Sequence, residues 1–209
     1  MKSMKSIFIT ALLFTITANA QITKGNWMVG GNGSYDSYKQ DETFTFQSTG
    51  EFSKIQRDIK ELELSPKVGF FIIDKLVVGL GSSFTSYKSE SSTITGNFGG
   101  GSSNTYKFSI GPFARYYFLK KDKPYNILAE ANYQYGNLSQ SHDVPDSKGK
   151  LNKFSFFAGP EIFFNSSVGM EFLFGYKTST QKMDNPNNVS FTKNGFQVAV
   201  GFQIHLEKL

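Results

Sequence analysis

Apolar and polar residues alternate along eight segments of the chain, most clearly near the C-terminus. From 195 to 206 the sequence reads GFQVAVGFQIHL, with an apolar Phe, Val, Ile or Leu at every second position. Because successive side chains of a β-strand point to opposite faces, this alternation predicts a strand with one apolar and one small or polar face. The same reasoning predicts strands at 25–38, 60–72, 76–87, 105–118, 125–136, 153–164, 168–178 and 195–206.

The lengths of these segments and of their connections favour a membrane protein. Most of the segments exceed the ~5 to 6 residues of a typical soluble strand, and a tilted strand needs about 9 to 11 residues to cross a bilayer. Short connections at 73–75, 119–124 and 165–167 alternate with long polar ones at 39–59, 88–104, 137–152 and 179–194. Outer-membrane barrels have short periplasmic turns and long external loops.

Charge falls on one face of the predicted strands. The apolar faces carry no charged residue, whereas the opposite faces carry Asp36, Glu61, Glu63, Lys67, Lys107, Arg115, Glu130, Lys153, Glu161, Glu171 and Lys177. A Lys or Arg that faces lipid at the bilayer midplane costs about 2 to 4 kcal/mol, which explains such a separation. The sequence therefore predicts an all-β, eight-stranded antiparallel up-and-down transmembrane β-barrel. A soluble lipocalin-type barrel would have the opposite faces, an apolar interior and a charged exterior.

The N-terminus has the features of a secretory signal peptide. Lys2 and Lys5 precede a short apolar run at 7–16, which ends in Ala18-Asn19-Ala20. We expect cleavage before Gln21, which makes 1–20 the signal peptide and 21–209 the barrel domain. Loss of the two lysines lowers the formal net charge from +5 to about +3, too weak a bias to predict nucleic-acid binding. The chain has no cysteine, which excludes disulfides and thiol chemistry.

Three prolines recur in corresponding strands. Pro66, Pro112 and Pro160 lie in the sequences SPKVGFF, GPFARYY and GPEIFF, each just before a short connection. Because proline lacks a backbone donor for the strand ladder, this repeat predicts bulges or a shared bend in those strands.

These sequences, together with GNWMVGG at 25–31 and the closing Gly-Phe strand, resemble the small outer-membrane β-barrel domain family of Gram-negative bacteria. That family is porin-like and includes eight-stranded barrels of the OmpA and OmpX type. The resemblance covers essentially the whole mature chain and implies an integral protein of the outer membrane. It also implies that outer-membrane lipid, lipopolysaccharide and the barrel-assembly machinery are partners. Members usually close with an aromatic residue as the assembly signal, whereas here Leu206 takes that place.

The inward charges are the candidate functional residues. We expect a luminal polar network made of Glu63, Lys67, Arg115, Glu130, Glu161 and Glu171. Eight strands leave a lumen just wide enough for side chains, and buried charges need partners, so the network is expected to be a set of salt bridges. The alternative is a gated path for ions or small solutes through exchangeable pairs.

Candidates for catalysis are few. The chain has two histidines, His142 and His205, and the neighbouring Ser141-His142-Asp143 lies in a predicted loop. We predict no catalytic, cofactor-binding or metal site, and no cofactor, and keep a lipid-modifying barrel enzyme as a remote alternative. Phe44 and Phe46, apolar residues of the first predicted loop, are candidates for contact with a surface ligand. The predicted function is thus structural or surface-interacting, through four long external loops, with a narrow porin-like channel as the alternative.

Overall fold

The computed structural model shows a closed barrel and describes residues 22–45, 52–95, 100–120, 123–141, 147–183 and 190–207. Its strands are β1 (Trp27–Thr45), β2 (Phe52–Ile73), β3 (Leu76–Thr95), β4 (Gly101–Tyr117), β5 (Tyr125–Ser141), β6 (Ser147–Phe163), β7 (Val168–Met183) and β8 (Ser190–Leu206). Each strand pairs antiparallel with the next, and β8 pairs with β1. The predicted fold class is confirmed. Within the described residues, no helix has the length and apolar content to cross a membrane.

At the short connections, which we call the turn end of the barrel, the strands end within two residues of the predicted positions. At the opposite, loop end they are longer than predicted. β2 begins at Phe52 instead of residue 60, and β3 continues to Thr95 instead of residue 87. The long predicted loops were therefore wrong in extent, because much of each loop is paired strand. Where both faces of a two-stranded ribbon lie in water, the strands pair through their backbones but need no apolar residues on either face. The sequence of such a segment therefore lacks the alternation that marks a strand.

The strands are strongly staggered around the barrel. Following the directly paired residues from Gly33 on β1 leads through Leu64, Phe84, Phe108, Asn137, Lys150 and Lys182 to Ser190 on β8. Gly33 itself pairs with Val200, which lies ten residues beyond Ser190 on β8. This stagger goes with tilted strands, so a row of paired residues climbs toward the loop end as it passes from β1 to β8.

The three prolines interrupt pairing but add no residue. Pairing of β2 with β3 stops at Leu64 and resumes at Lys67 in the same register, and corresponding gaps occur at Pro112 and Pro160. The predicted bulges are therefore wrong at these positions. The missing amide proton removes a ladder bond on one side of the strand while the flanking bonds hold the alignment.

Polar side chains hold the turn end together. The Asn165 side chain accepts hydrogen bonds from the backbone amides of Ser167 and Val168, both at 2.8 Å. The Leu119 amide donates to Asn126 Oδ1 at 2.9 Å. Ile22, which precedes β1, is fully buried in the apolar cluster inside the turn end.

The two faces of the wall differ as predicted. Large apolar side chains such as Leu64, Phe108, Phe174 and Phe202 are exposed on the outer face. The inner face holds two layers. An apolar layer of Ile22, Met28, Phe71, Val77, Tyr117, Leu128 and Phe163 fills the turn end, and the same apolar cluster extends toward the loop end through Phe113, Phe157, Leu173 and Ala199. Charged, amide and hydroxyl side chains line most of the rest of the described lumen, together with the buried apolar residues Ile59, Leu138, Leu151 and Met183.

Candidate functional site

The inner wall collects charged residues that are far apart in sequence. Glu63 and Lys67 lie on β2, Arg115 on β4 and Glu130 on β5, and all four are buried. Each occupies an inward position of its strand, on the opposite side from the exposed apolar side chains of the outer face. Pairing around the closed barrel then aims these side chains at one another.

Arg115 is the centre of what we call the central network, which comprises Lys67, Arg115, Tyr117, Glu130, Glu161, Glu171, Gln203 and His205. The Arg115 guanidinium is fully buried. Its Nη2 lies 2.6 Å from Glu130 Oε2, and its Nη1 lies 2.8 Å from Glu171 Oε2 and 3.6 Å from Glu161 Oε2. One cation thus joins carboxylates from three strands.

Each of those carboxylates has further partners. Lys67 Nζ donates to Glu130 Oε1 at 2.6 Å. The Tyr117 hydroxyl donates to Glu161 Oε2 at 2.8 Å, and His205 Nε2 lies 2.8 Å from Glu161 Oε1. Glu171 accepts from Gln203 at 2.9 Å and from Asn32 at 3.4 Å, both neutral amides. Glu130 thus has a second cationic partner in Lys67, whereas Glu171 lies close to Arg115 and has otherwise only neutral amide donors.

A second group lies nearer the loop end, and we call it the upper network: Glu61, Glu63, Ser83, Lys153, Lys177 and Lys193. Glu63 is held by two lysines, with Lys153 Nζ and Lys177 Nζ each at 2.7 Å from a carboxylate oxygen. Glu61 pairs with Lys193 at 2.7 Å. Buried charges paired in this way are stable only with such complete hydrogen bonding.

Two small cavities lie in the described part of the lumen. A cavity of about 20 Å³ lies between the two networks, and one of about 80 Å³ lies between the upper network and the loop end. The first is the size that one water molecule needs. Below the central network, the apolar layer closes the turn end. The arrangement is thus suited to filling and bracing the barrel.

The structure places all six predicted luminal residues on the inner wall. Lys67, Arg115, Glu130, Glu161 and Glu171 share the central network, whereas Glu63 belongs to the upper one. The predicted network omitted Tyr117 and also omitted Gln203, His205, Lys153 and Lys177, which the alternation had placed on the inward face. Tyr117 could have been found, because it is the next inward position after Arg115. The apolar layer at the turn end was also missed.

The other candidates do not form a site in the described residues. Phe44 lies in β1, where its backbone pairs with Ser53, and not in a loop. Phe46 and His142 lie outside the described residues. His205 is fully buried among Phe71, Tyr117 and Phe163. In the described part of the chain, no group of three or more His, Asp or Glu residues could hold a metal ion.

Comparison with known proteins places this architecture in a family. Residues 74–208 match the family model described as the outer membrane protein beta-barrel domain. No curated protein sequence matches the chain.

Solved structures of other outer-membrane proteins align with the chain at low sequence identity. The outer membrane protein OprG of Pseudomonas aeruginosa is 13% identical, with 90% of this chain and 99% of OprG covered and a TM-score of 0.50. Neisserial surface protein A is 14% identical, with 88% and 96% covered and a TM-score of 0.47. The N-terminal barrel domain of Pseudomonas aeruginosa OprF is 11% identical, with 88% and 98% covered and a TM-score of 0.39. At these identities the likeness to OprG concerns the fold alone.

Proposed function

Because the chain belongs to the outer membrane protein beta-barrel domain family, we propose that it is a non-conducting, non-enzymatic barrel of the outer membrane. Its role is structural and surface-interacting. The short turns face the periplasm and the longer loop-end ribbons face outward, as is usual for such barrels. The observation that carries the proposal is the central network, which fills the lumen above an apolar layer.

The central network argues against a pore. To pass, an ion would have to displace Arg115 from Glu130 and Glu171, and both carboxylates are buried with it. Removing one partner of a buried pair costs about 3 to 5 kcal/mol. A hydrated path would then have to open through Met28, Phe71 and Tyr117 as well, which pack in the apolar layer.

Conductance of the purified protein in planar bilayers tests this proposal. We expect no steady single-channel openings from a preparation whose gel mobility shifts on boiling, which is the mark of a folded, detergent-resistant barrel. Steady openings that Arg115→Met or Glu161→Gln alters would support the porin-like channel and defeat the proposal. Exposed Lys39→Met serves as the matched control, because its ion pair with Asp58 lies on the outer face.

The loop-end ribbons support a role at the cell surface. On the ribbon formed by β1 and β2, Lys39 pairs with Asp58 at 3.6 Å and Lys54 with Asp41 at 3.3 Å. The Gln56 amide and the Lys54 ammonium lower the pKa of Asp41. These ribbons present ordered polar surface beyond the apolar belt. Phe44 and Phe46 are the residues proposed to contact a surface ligand there.

Burial of His205 supports the non-enzymatic role. A general base must reach the proton that it abstracts, whereas His205 is fully buried and its Nε2 faces Glu161. We further propose that the barrel-assembly machinery recognises the C-terminal strand β8. That strand ends in the alternating residues of 201–206 and closes the barrel by pairing with β1.

A further inference from the structure

A groove runs across the outer face of the barrel from β2 to β6 and has a volume of about 660 Å³. Its apolar side is formed by exposed Leu62, Leu64, Phe84, Tyr106 and Phe108. The small outward residues Ser86, Asn137 and Ser139 leave room along its middle, and Lys148 and Lys150 line its far side. The groove is thus apolar at one end and cationic at the other.

The stagger of the strands makes this groove rise obliquely toward the loop end as it crosses from β2 to β6. Leu64 on β2 and Lys150 on β6 belong to the same row of paired residues, and that row climbs toward the loop end. On β6 itself, Lys150 lies two outward positions beyond Phe154, an exposed residue of the apolar belt. The apolar end therefore lies in the belt, and the lysines lie just outside it.

The outward charges beyond the belt differ between the two sides of the barrel. On β1 to β3 three of the outward lysines have acidic partners: Lys39 pairs with Asp58, Lys54 with Asp41 and Lys88 with Glu90. On β4 to β8, the charged residues at described outward positions beyond the belt are Lys148, Lys150 and Lys182. No carboxylate accompanies them among those described positions.

Two of these lysines directly oppose each other. Lys150 on β6 and Lys182 on β7 are cross-strand partners on the exposed outer face. Like charges at directly opposed positions destabilise a sheet. The comparable pair on the other side, Lys60 opposite Lys88, has Glu90 bound to Lys88. An anion between Lys150 and Lys182 would supply the same compensation.

We propose that Lys148, Lys150 and Lys182 bind the phosphates of a phosphorylated glycolipid of the outer leaflet, the lipid A part of lipopolysaccharide, and that an acyl chain lies in the groove. The proposal rests on the membrane orientation given above for the proposed function. Three cations beside an apolar groove match an anionic head with attached acyl chains. A zwitterionic phospholipid head brings no net charge to this site.

Binding of bisphosphorylated lipid A to the purified full-length barrel tests the proposal. The variant K148S/K150S/K182S is compared with K39S/K54S/K88S, which removes three outward lysines that have acidic partners. Each lysine beside an anionic headgroup contributes to the free energy of binding, and the loss of all three should weaken lipid A binding about 100-fold. The control should bind as tightly as the wild type. Equal binding by the first variant, or an equal loss in both, would overturn the proposal.

Two further probes separate the head from the acyl chain. Dephosphorylated lipid A should bind the wild type about as weakly as bisphosphorylated lipid A binds the lysine variant. If the wild type bound both forms of lipid A equally tightly, the role of the lysines would be refuted. Ser139→Trp fills the groove, so it should weaken lipid A but leave binding of the deacylated phosphorylated disaccharide unchanged. An effect on neither ligand would remove the groove from the proposal. Lys148, Lys150 and Lys182 lie outside the lumen, so their replacement should not change conductance. A conductance measurement therefore tests the proposed function separately from the lipid A site.

Discussion

Replacement of Arg115 by methionine tests whether the central network holds the barrel together. The substitution removes the cation that contacts Glu130, Glu161 and Glu171. Glu130 keeps Lys67 at 2.6 Å, and Glu161 keeps Tyr117 and His205. Glu171 loses a cation at 2.8 Å, compared with 3.6 Å for Glu161, and keeps only neutral amide donors, so we expect the largest loss of compensation at Glu171.

The expected loss is large because the whole site is buried. Arg115, Glu161 and Glu171 are each 0% exposed and Glu130 is 1% exposed. Breaking a buried ion pair from one side costs about 3 to 5 kcal/mol, and we expect R115M to lower the free energy of unfolding by that amount. E171Q neutralises the stranded carboxylate, so R115M/E171Q should recover about 2 kcal/mol relative to R115M.

Urea titration of the barrel folded in lipid vesicles measures these changes. Trp27 is the only tryptophan of the chain and lies on the outer face at the turn end, so its fluorescence reports unfolding. K39M is the control, because the exposed pair of Lys39 and Asp58 should contribute only about 0 to 1 kcal/mol. A loss below about 1 kcal/mol in R115M, when a buried pair should cost several, would refute the reasoning. So would a double variant no more stable than R115M.

Two other predictions concern the membrane and the N-terminus. On β8, Val200→Lys places a charge on the outer face in the apolar belt and should cost about 2 to 4 kcal/mol, whereas Asn194→Lys, beyond the belt, should cost about 0 to 1 kcal/mol. The same urea titration measures both, and equal costs would contradict the assignment of the lipid-facing belt. Mass spectrometry of protein purified from outer membranes should find a mature chain that begins at Gln21, and a retained Met1 would contradict the predicted signal peptide.

The lipid-facing wall could be predicted from sequence because its constraint is local. A strand that crosses lipid must keep charged residues off its lipid-facing side. This rule applies to each lipid-facing position separately, for example to Leu62 and Leu64 on β2 or to Val198 and Val200 on β8. The turn ends of the strands were predictable for the same reason, since the alternation stops there. The loop ends were not, because pairing in water leaves no trace in the alternation of apolar residues.

The partners inside the lumen could not be predicted from spacing. Inward orientation followed from the same alternation, so Arg115, Glu130, Glu161 and Glu171 were assigned to the lumen from sequence. Which of them meet depends on the register of every strand pair around the barrel, together with its closure.

The alternation along the chain was sufficient to predict an eight-stranded barrel with its apolar face toward lipid, because the membrane constrains each lipid-facing position separately. The closed barrel places Arg115 between three carboxylates and closes the turn end with an apolar layer, and neither arrangement could be predicted from the alternation. It also places Lys150 opposite Lys182 on the outer face. Such contacts join residues from different strands, and only the stagger of the closed sheet brings them together.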